Sequence, residues 1–482
     1  MSMNFQDLVL LGIFRCHVDG PAFVPPRQTD SRERLMLVSH RWRNLVQSTP
    51  EFWTWVNFLP VASQIPGHLE NLARTWLQRS LGVLVYIEFE TDLHLHTPTL
   101  PPQHVVYGSG RFCVVDTIIL PCAPRIVSLK CVLATSATVR SFLTIPTWGF
   151  ISLQHVDLIL TNHLDPRQSR FHGWEFAMFN VFDNLPCLQT VRFCVLNAMS
   201  VHPDCFRLPW NQLTHLYLGT TAIPPNIFLR IINLTSMSLQ DALFRIKLTK
   251  STKSMVPHGR ALSAFTAVVA HHLKGLQLIL IDPSRDRRLF EALKLPALAS
   301  LQVKIHDRKT GWNLNQYIPL IGTVSQLEYL SFLPFTFPLV LANADSNPRP
   351  HRMIPSSEME SLFAALPTIK TLVLGQGLHV DLPTLGKIAR GELLPSLANL
   401  RIGSVTGSQV LLMVEVRNKL AMHKVLQPQG SSEKSMLTVS PISVMHLLVP
   451  EEDEGEVQEE AMLLRGSTTS CADVKFIVDE RM

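Results

Sequence analysis

The sequence predicts an α+β chain built in parts. A small all-α module spans residues 1–60, and connecting helices with a first strand span 61–122. An irregular α/β array covers 123–428, and an acidic, partly disordered tail covers 429–482. Three observations predict this. Apolar residues recur at three- and four-residue spacing in the first 60 residues, the mark of helices with one buried face. A six-residue apolar template then returns at intervals of 21–42 residues from Ile126 to Leu397. Beyond residue 428 the charge balance reverses, with 11 acidic against 4 basic residues in a chain whose net charge is +5.

Composition narrows the class. Apolar residues make up 46% and charged residues 17% of the 482, which excludes a mostly disordered chain. The 39 basic against 27 acidic residues of the first 428 are too dilute for a nucleic-acid footprint, so no nucleic acid is expected as a partner. Eight scattered cysteines include no C-x-x-C pair, and Asp7 interrupts any signal-peptide core, so reduced thiols and a cytoplasmic or nuclear location are expected. The most apolar stretch, 329–344, contains Pro334 and Pro338 and falls short of the about 20 residues a spanning helix needs. It predicts a buried strand running into a loop, and no membrane partner.

In the first module, Leu8, Leu11, Ile13 and Phe14 predict a helix, broken by Gly20-Pro21 and Pro25-Pro26. A second helix is expected over 31–47, with Leu35, Val38, Trp42, Leu45 and Val46 on one face and Ser31 as its N-cap. Ser48-Thr49-Pro50 closes it and opens the next, which carries Phe52, Trp53 and Val56. Residues 68–80 predict a further helix and 83–89 a strand.

The array rests on the spacing apolar, two residues, apolar, one residue, apolar. It starts at Ile126, Leu153, Leu188, Leu213, Leu234, Leu273, Leu298, Leu327, Ile369 and Leu397. The last two apolar positions flank one residue, so both face inward from a short strand. The stricter form beginning Leu-Pro occurs at Leu185, Leu295, Leu366 and Leu394, where about half an occurrence is expected by chance. Such spacings are those of leucine-rich repeats, whose units cannot bury their own inner face and must stack on neighbours. Two insertions interrupt the period. Residues 245–260, with Arg245, Lys247, Lys250, Lys253 and Arg260, are expected as a mobile surface loop, and 342–357 as a disordered one. The acidic run 451–460 is expected to be exposed and to matter little for folding, so a chain ending after Gly430 should melt unchanged.

No catalytic motif is present. Gly403-Ser404-Val405-Thr406-Gly407 misplaces the serine of a nucleophile elbow, and Gly386-Lys387 lacks the rest of a phosphate loop. His94-Leu95-His96 and His271-His272 lack a third metal ligand. No enzyme activity, cofactor or metal is expected.

The most informative segment is Val38-Ser39-His40-Arg41-Trp42-Arg43-Asn44-Leu45, followed by Ser48-Thr49-Pro50-Glu51-Phe52-Trp53. It resembles the F-box-like domain of large fungal families, where V-x-x-x-W-R on one helix precedes S-T-P-x-L-W opening the next. Asp7 to Phe14 resembles the first helix of that domain, with its terminal Ile-Phe. The family usually opens with Leu-Pro and an acid, where Phe5, Gln6 and Leu8 stand here. The resemblance implies a substrate-recognition subunit of a Skp–cullin–F-box ubiquitin ligase. A Skp-type adaptor would bind through Phe5, Leu10, Ile13, Phe14, Val38, Trp42 and Trp53, with a cullin reached through the adaptor. An unknown protein substrate would bind the array. The other reading is an interaction scaffold whose degenerate box merely caps the array.

Overall fold

The repeating template puts one apolar residue in the turn before a strand and two on the strand's inner side. The computed structural model follows that placement through most of the chain. It describes residues 4–59, 66–89, 115–133, 142, 145–160, 180–195, 207–248, 266–281, 287–305, 312–334, 356–375, 378, 380–403, 407–426, 439–449, 451–467 and 474–480. The chain divides into two compact units, Met1–Thr221 and Ala222–Met482. Each is mixed α/β with parallel strands.

In the first unit the helices are α1 (Phe5–His17), α2 (Ser31–Val38), α3 (His40–Ser48) and α4 (Pro66–Arg79). Its strands run β1 (Ala22–Val24), β2 (Trp55–Phe58), β3 (Val85–Phe89), β4 (Ile126–Leu133), β5 (His155–Leu160), β6 (Thr190–Val195) and β7 (His215–Ile223), hydrogen-bonded in that order. The first 60 residues are therefore not all helical. Ala22, Val24, Val56 and Phe58 alternate inward on two short parallel strands, each at most 1% exposed. The helix expected over 31–47 is two helices. Ser39 is extended (φ −161°, ψ 163°), and its hydroxyl accepts the Trp42 N–H to cap α3. Asp30, not Ser31, caps α2, because its carboxylate accepts the Arg32 N–H at 2.9 Å. The same carboxylate holds the buried Arg32 guanidinium, which also donates to the carbonyls of Phe52, Gly20 and Pro21. Burial lowers the Arg32 pKa, and Asp30 opposes that shift.

The second unit runs α5 (Pro225–Leu234), β8 (Asp241–Lys247), β9 (Val268–Val269), β10 (Gly275–Ile281), α6 (Arg287–Glu291), β11 (Leu293–Lys294), β12 (Ser300–Ile305), α7 (Ile318–Ile321), β13 (Tyr329–Pro334), α8 (Ser356–Ala364), β14 (Thr371–Leu374), α9 (Leu382–Arg390), β15 (Asn399–Gly403), α10 (Gly407–Leu426), β16 (Val444–Val449), α11 (Glu451–Ser467) and β17 (Lys475–Glu480). Strands β8, β10 and β12 to β17 pair in that order, and β9 pairs with β11 alone. The layers share a stacking device. The carbonyls just ahead of β8, β10 and β12 each accept two N–H groups from the next turn: Gln240 from Lys274 and Gly275, Lys274 from Ala299 and Ser300, Ala299 from Glu328 and Tyr329, all within 2.7–3.0 Å. Each of these three carbonyls thus has two partners, where a buried carbonyl with none would cost about 1–3 kcal/mol.

Nine of the ten template starts lie at or just before a strand, as at Leu298, Leu301 and Val303, all 0% exposed. The tenth is corrected. Leu234 ends α5 at 38% exposure, and the buried triplet of that layer is Leu239, Ala242 and Phe244. Arg245 and Lys247 lie in β8 rather than in a loop, and 249–260 falls outside the described residues. The 342–357 insertion falls outside them too, except Ser356 and Ser357, which open α8.

The tail differs most from expectation. Val444–Val449 pairs in parallel with β15, and Lys475–Glu480 pairs with β16. The acidic run forms α11, with Val457 and Ala461 buried. An Ile442-Met445-Leu447 triplet, each at most 1% exposed, repeats the template here. Among the described residues no helix is long and apolar enough to cross a membrane.

Candidate functional site

Helix α1 is apolar on two faces, and only one is covered. Asn4 caps it by accepting the Asp7 N–H at 2.8 Å. Leu11 and Phe14 turn inward at 3% and 0% exposure, whereas Phe5, Leu8, Val9 and Ile13 form an exposed stripe at helical spacing. Leu37 and Val38 extend it from the end of α2 at 76% and 60% exposure. Arg41, three residues after Val38, fixes the two segments together. Its guanidinium donates to Asp7 at 2.8 and 3.0 Å and to Gln6 at 3.0 Å. Arg15 and Glu51 close the far end of α1 with an exposed ion pair at 2.7 Å.

Of the residues the sequence nominated for adaptor contact, Phe5, Ile13 and Val38 are exposed and Leu10 and Trp42 are half-buried. Phe14 and Trp53 are core residues at 0% exposure and cannot line a surface. Trp42 lies edge-on to Phe14 at 4.8 Å. The Trp53 indole N–H donates to the Val46 carbonyl at 2.9 Å, its ring meets Trp76 edge-on at 4.6 Å, and Arg79 lies over its face. Leu8, Val9 and Leu37 were missed. For Leu8 and Val9 the signal was a helix with apolar residues at 5, 8, 9 and 13 as well as at 10, 11 and 14, which is more than one core can absorb.

A second surface lies on the side of the strands opposite the core. Strand register aligns Phe23, Asn57, Glu88, Lys130, Asp157, Arg192 and Tyr217 in one row across the first unit. Lys130 bonds Glu88, Arg192 reaches Asp157 at 3.7 Å, and the Arg192 guanidinium lies 5.2 Å from the Tyr217 ring centre. Burial pushes the Asp157 carboxyl above the ordinary range, against the pull of Arg192 and Lys130. Its Oδ1 has no partner among the described residues. A carboxyl raised in this way costs stability in full above its folded pKa; the cost shrinks as pH falls through that value and vanishes below the unfolded one. Asp157→Asn should therefore raise the melting temperature slightly at pH 7, with the gain shrinking as pH is lowered. A lower melting temperature at pH 7 would show that the Arg192 contact outweighs the desolvation.

Among the described residues no group of three His, Cys, Asp or Glu side chains could hold a metal ion. His271 and His272 are exposed, and His94 and His96 lie outside the described residues. Cys122 and Cys131 are buried thiols, while Cys16 is exposed. No family model matches the chain, and no curated protein proves similar to it.

Proposed function

We propose that this protein is the substrate-recognition subunit of a Skp–cullin–F-box ubiquitin ligase. It binds a Skp-type adaptor through an F-box-like module at its amino end. It receives a protein substrate on an irregular leucine-rich-repeat solenoid, and it performs no chemistry itself. Its work is to raise the effective concentration of a substrate near the ubiquitin-loaded enzyme in the cytoplasm or nucleus. The observation that carries this reading is the exposed stripe of Phe5, Leu8, Val9 and Ile13 with Leu37 and Val38 beside it. A soluble module gains nothing from such a stripe unless a partner covers it. The motif Val38 to Leu45 and Ser48 to Trp53 says which partner. The aligned strand face supports the second half of the reading, since it presents charge and aromatic groups on rigid elements.

The test is adaptor and cullin co-purification from the protein's own cell extract, comparing wild type with Ile13→Asp. Ile13 is 45% exposed, so the variant should keep the wild-type melting temperature. An aspartate buried without a partner in the complex should cost about 2–4 kcal/mol, roughly 30- to 1,000-fold in affinity. Recovery of adaptor and cullin with wild type, and their loss with the variant, is the expected result. If wild type recovers neither, the ligase reading fails. The scaffold reading then takes its place, favoured by Phe5-Gln6 standing where the family has Leu-Pro.

A further inference from the structure

Strand β17 is the outermost strand of the second unit, and among the described residues no strand pairs with its outer side. The Lys475 N–H donates to the Ser443 carbonyl at 2.9 Å, so residues 475, 477 and 479 direct their main-chain groups toward β16. By the alternation of a ladder, residues 476, 478 and 480 direct theirs to the open edge. Six residues, Lys-Phe-Ile-Val-Asp-Glu, hold neither proline nor glycine. That is a ready template for another strand. By contrast β1, outermost in the first unit, is three residues long and runs into Pro25. Helix α11 contacts β17, and it leaves Met462 and Leu463 64% and 63% exposed.

We propose that this edge binds the same edge of a second copy of the chain, making a two-fold dimer through antiparallel β17 strands. The choice of occupant follows from register arithmetic. Two-fold symmetry demands an antiparallel pair, and hydrogen bonding demands that open-edge residues face open-edge residues. Centring the pair on Ile477 sets Phe476 opposite Val478 of the second copy, each pair exchanging two main-chain bonds. It sets Lys475 opposite Asp479 of the second copy, twice over by symmetry. Shifting the centre to Val478 takes Lys475 away from Asp479 and sets Phe476 opposite Glu480, so β17 is charge-complementary to itself in the first register. The inference stands independently of the ligase reading.

The experiment measures the mass of the full-length protein by sedimentation, between about 1 and 100 µM. The wild type should be a dimer. Lys475 is exposed, so Lys475→Glu should leave the fold intact while setting like charges face to face, weakening the dimer by about tenfold or more. Asp479→Lys should do the same. The doubly exchanged protein, and an equimolar mixture of the two single variants, should regain the dimer, which also shows that neither variant had merely unfolded. A monomeric wild type, a dimer indifferent to Lys475→Glu, or failure of the exchanged pair to restore association would each overturn the proposal.

Discussion

A chain ending after Gly430 should lose on the order of 10–20 °C from the melting temperature of its second unit. The removed segment supplies two strands and a helix, and it satisfies groups that stay behind. Asn418 is 2% exposed; it accepts the Ile442 N–H at 2.8 Å and donates to the Ile442 carbonyl at 3.1 Å. Ser440 donates to Pro395 and accepts from Arg417. Gly391 ends α9 with φ +74°, and Val439 lies against the place where a side chain would begin. The paired edge of β15, with Leu400 and Ile402 at 3% and 2% exposure, would open to water. Several buried polar groups left unpaired, at about 1–3 kcal/mol each, are enough to account for the shift. Thermal melts of the full and shortened chains decide it. Coincident curves would mean that the last two strands are ornaments on a fold complete without them.

Arg417→Met should destabilise the same unit by about 1–3 kcal/mol. Arg417 is 0% exposed on α10 and has five carbonyl acceptors: Ile388 at 2.6 Å, Leu394 at 2.9 Å, Pro395 at 2.8 Å, Leu397 at 3.3 Å and Ser440 at 2.9 Å. Burial lowers its pKa to about 10, so it remains charged at neutral pH. Methionine fills much of the volume but offers no donor, and the turn between α9 and β15 loses the group that gathers its carbonyls. Arg417→Lys should fall between the two, because one ammonium cannot span a planar fork of acceptors. A denaturant midpoint for Arg417→Met equal to that of the wild type would refute the role.

The strands were legible because their signal is local. A triplet such as Leu327, Leu330 and Phe332 states the turn, the strand and its inner face in six residues. The same template failed at Leu234 because a helix end with apolar residues three apart matches it equally well, and only burial separates the two. The tail was misread for a different reason. Its acidic run dominates the composition, yet an amphipathic helix needs only Val457 and Ala461 on its inner side to dock. The break at Ser39 could not be read from periodicity, since Leu35, Val38 and Trp42 keep helical spacing across it. At the candidate site the family motif drew attention to Phe14 and Trp53, which the core consumes. The unmotivated apolar residues Leu8, Val9 and Leu37 remain outside. A side chain's large size says that it will be covered, not whether its own chain or a partner covers it.

The row from Glu88 to Arg192 imposes a parity on the first unit. Its signs alternate strand by strand, minus at β3, plus at β4, minus at β5, plus at β6. Removing β5 alone would seat Lys130 beside Arg192, two cations on neighbouring strands about 4.8 Å apart. Duplicating one layer would likewise set a charge beside its own kind. Layers could be gained or lost here without electrostatic penalty only two at a time. The alternation thus acts as a counting rule on how a run of parallel strands of this sort can lengthen or shorten by recombination.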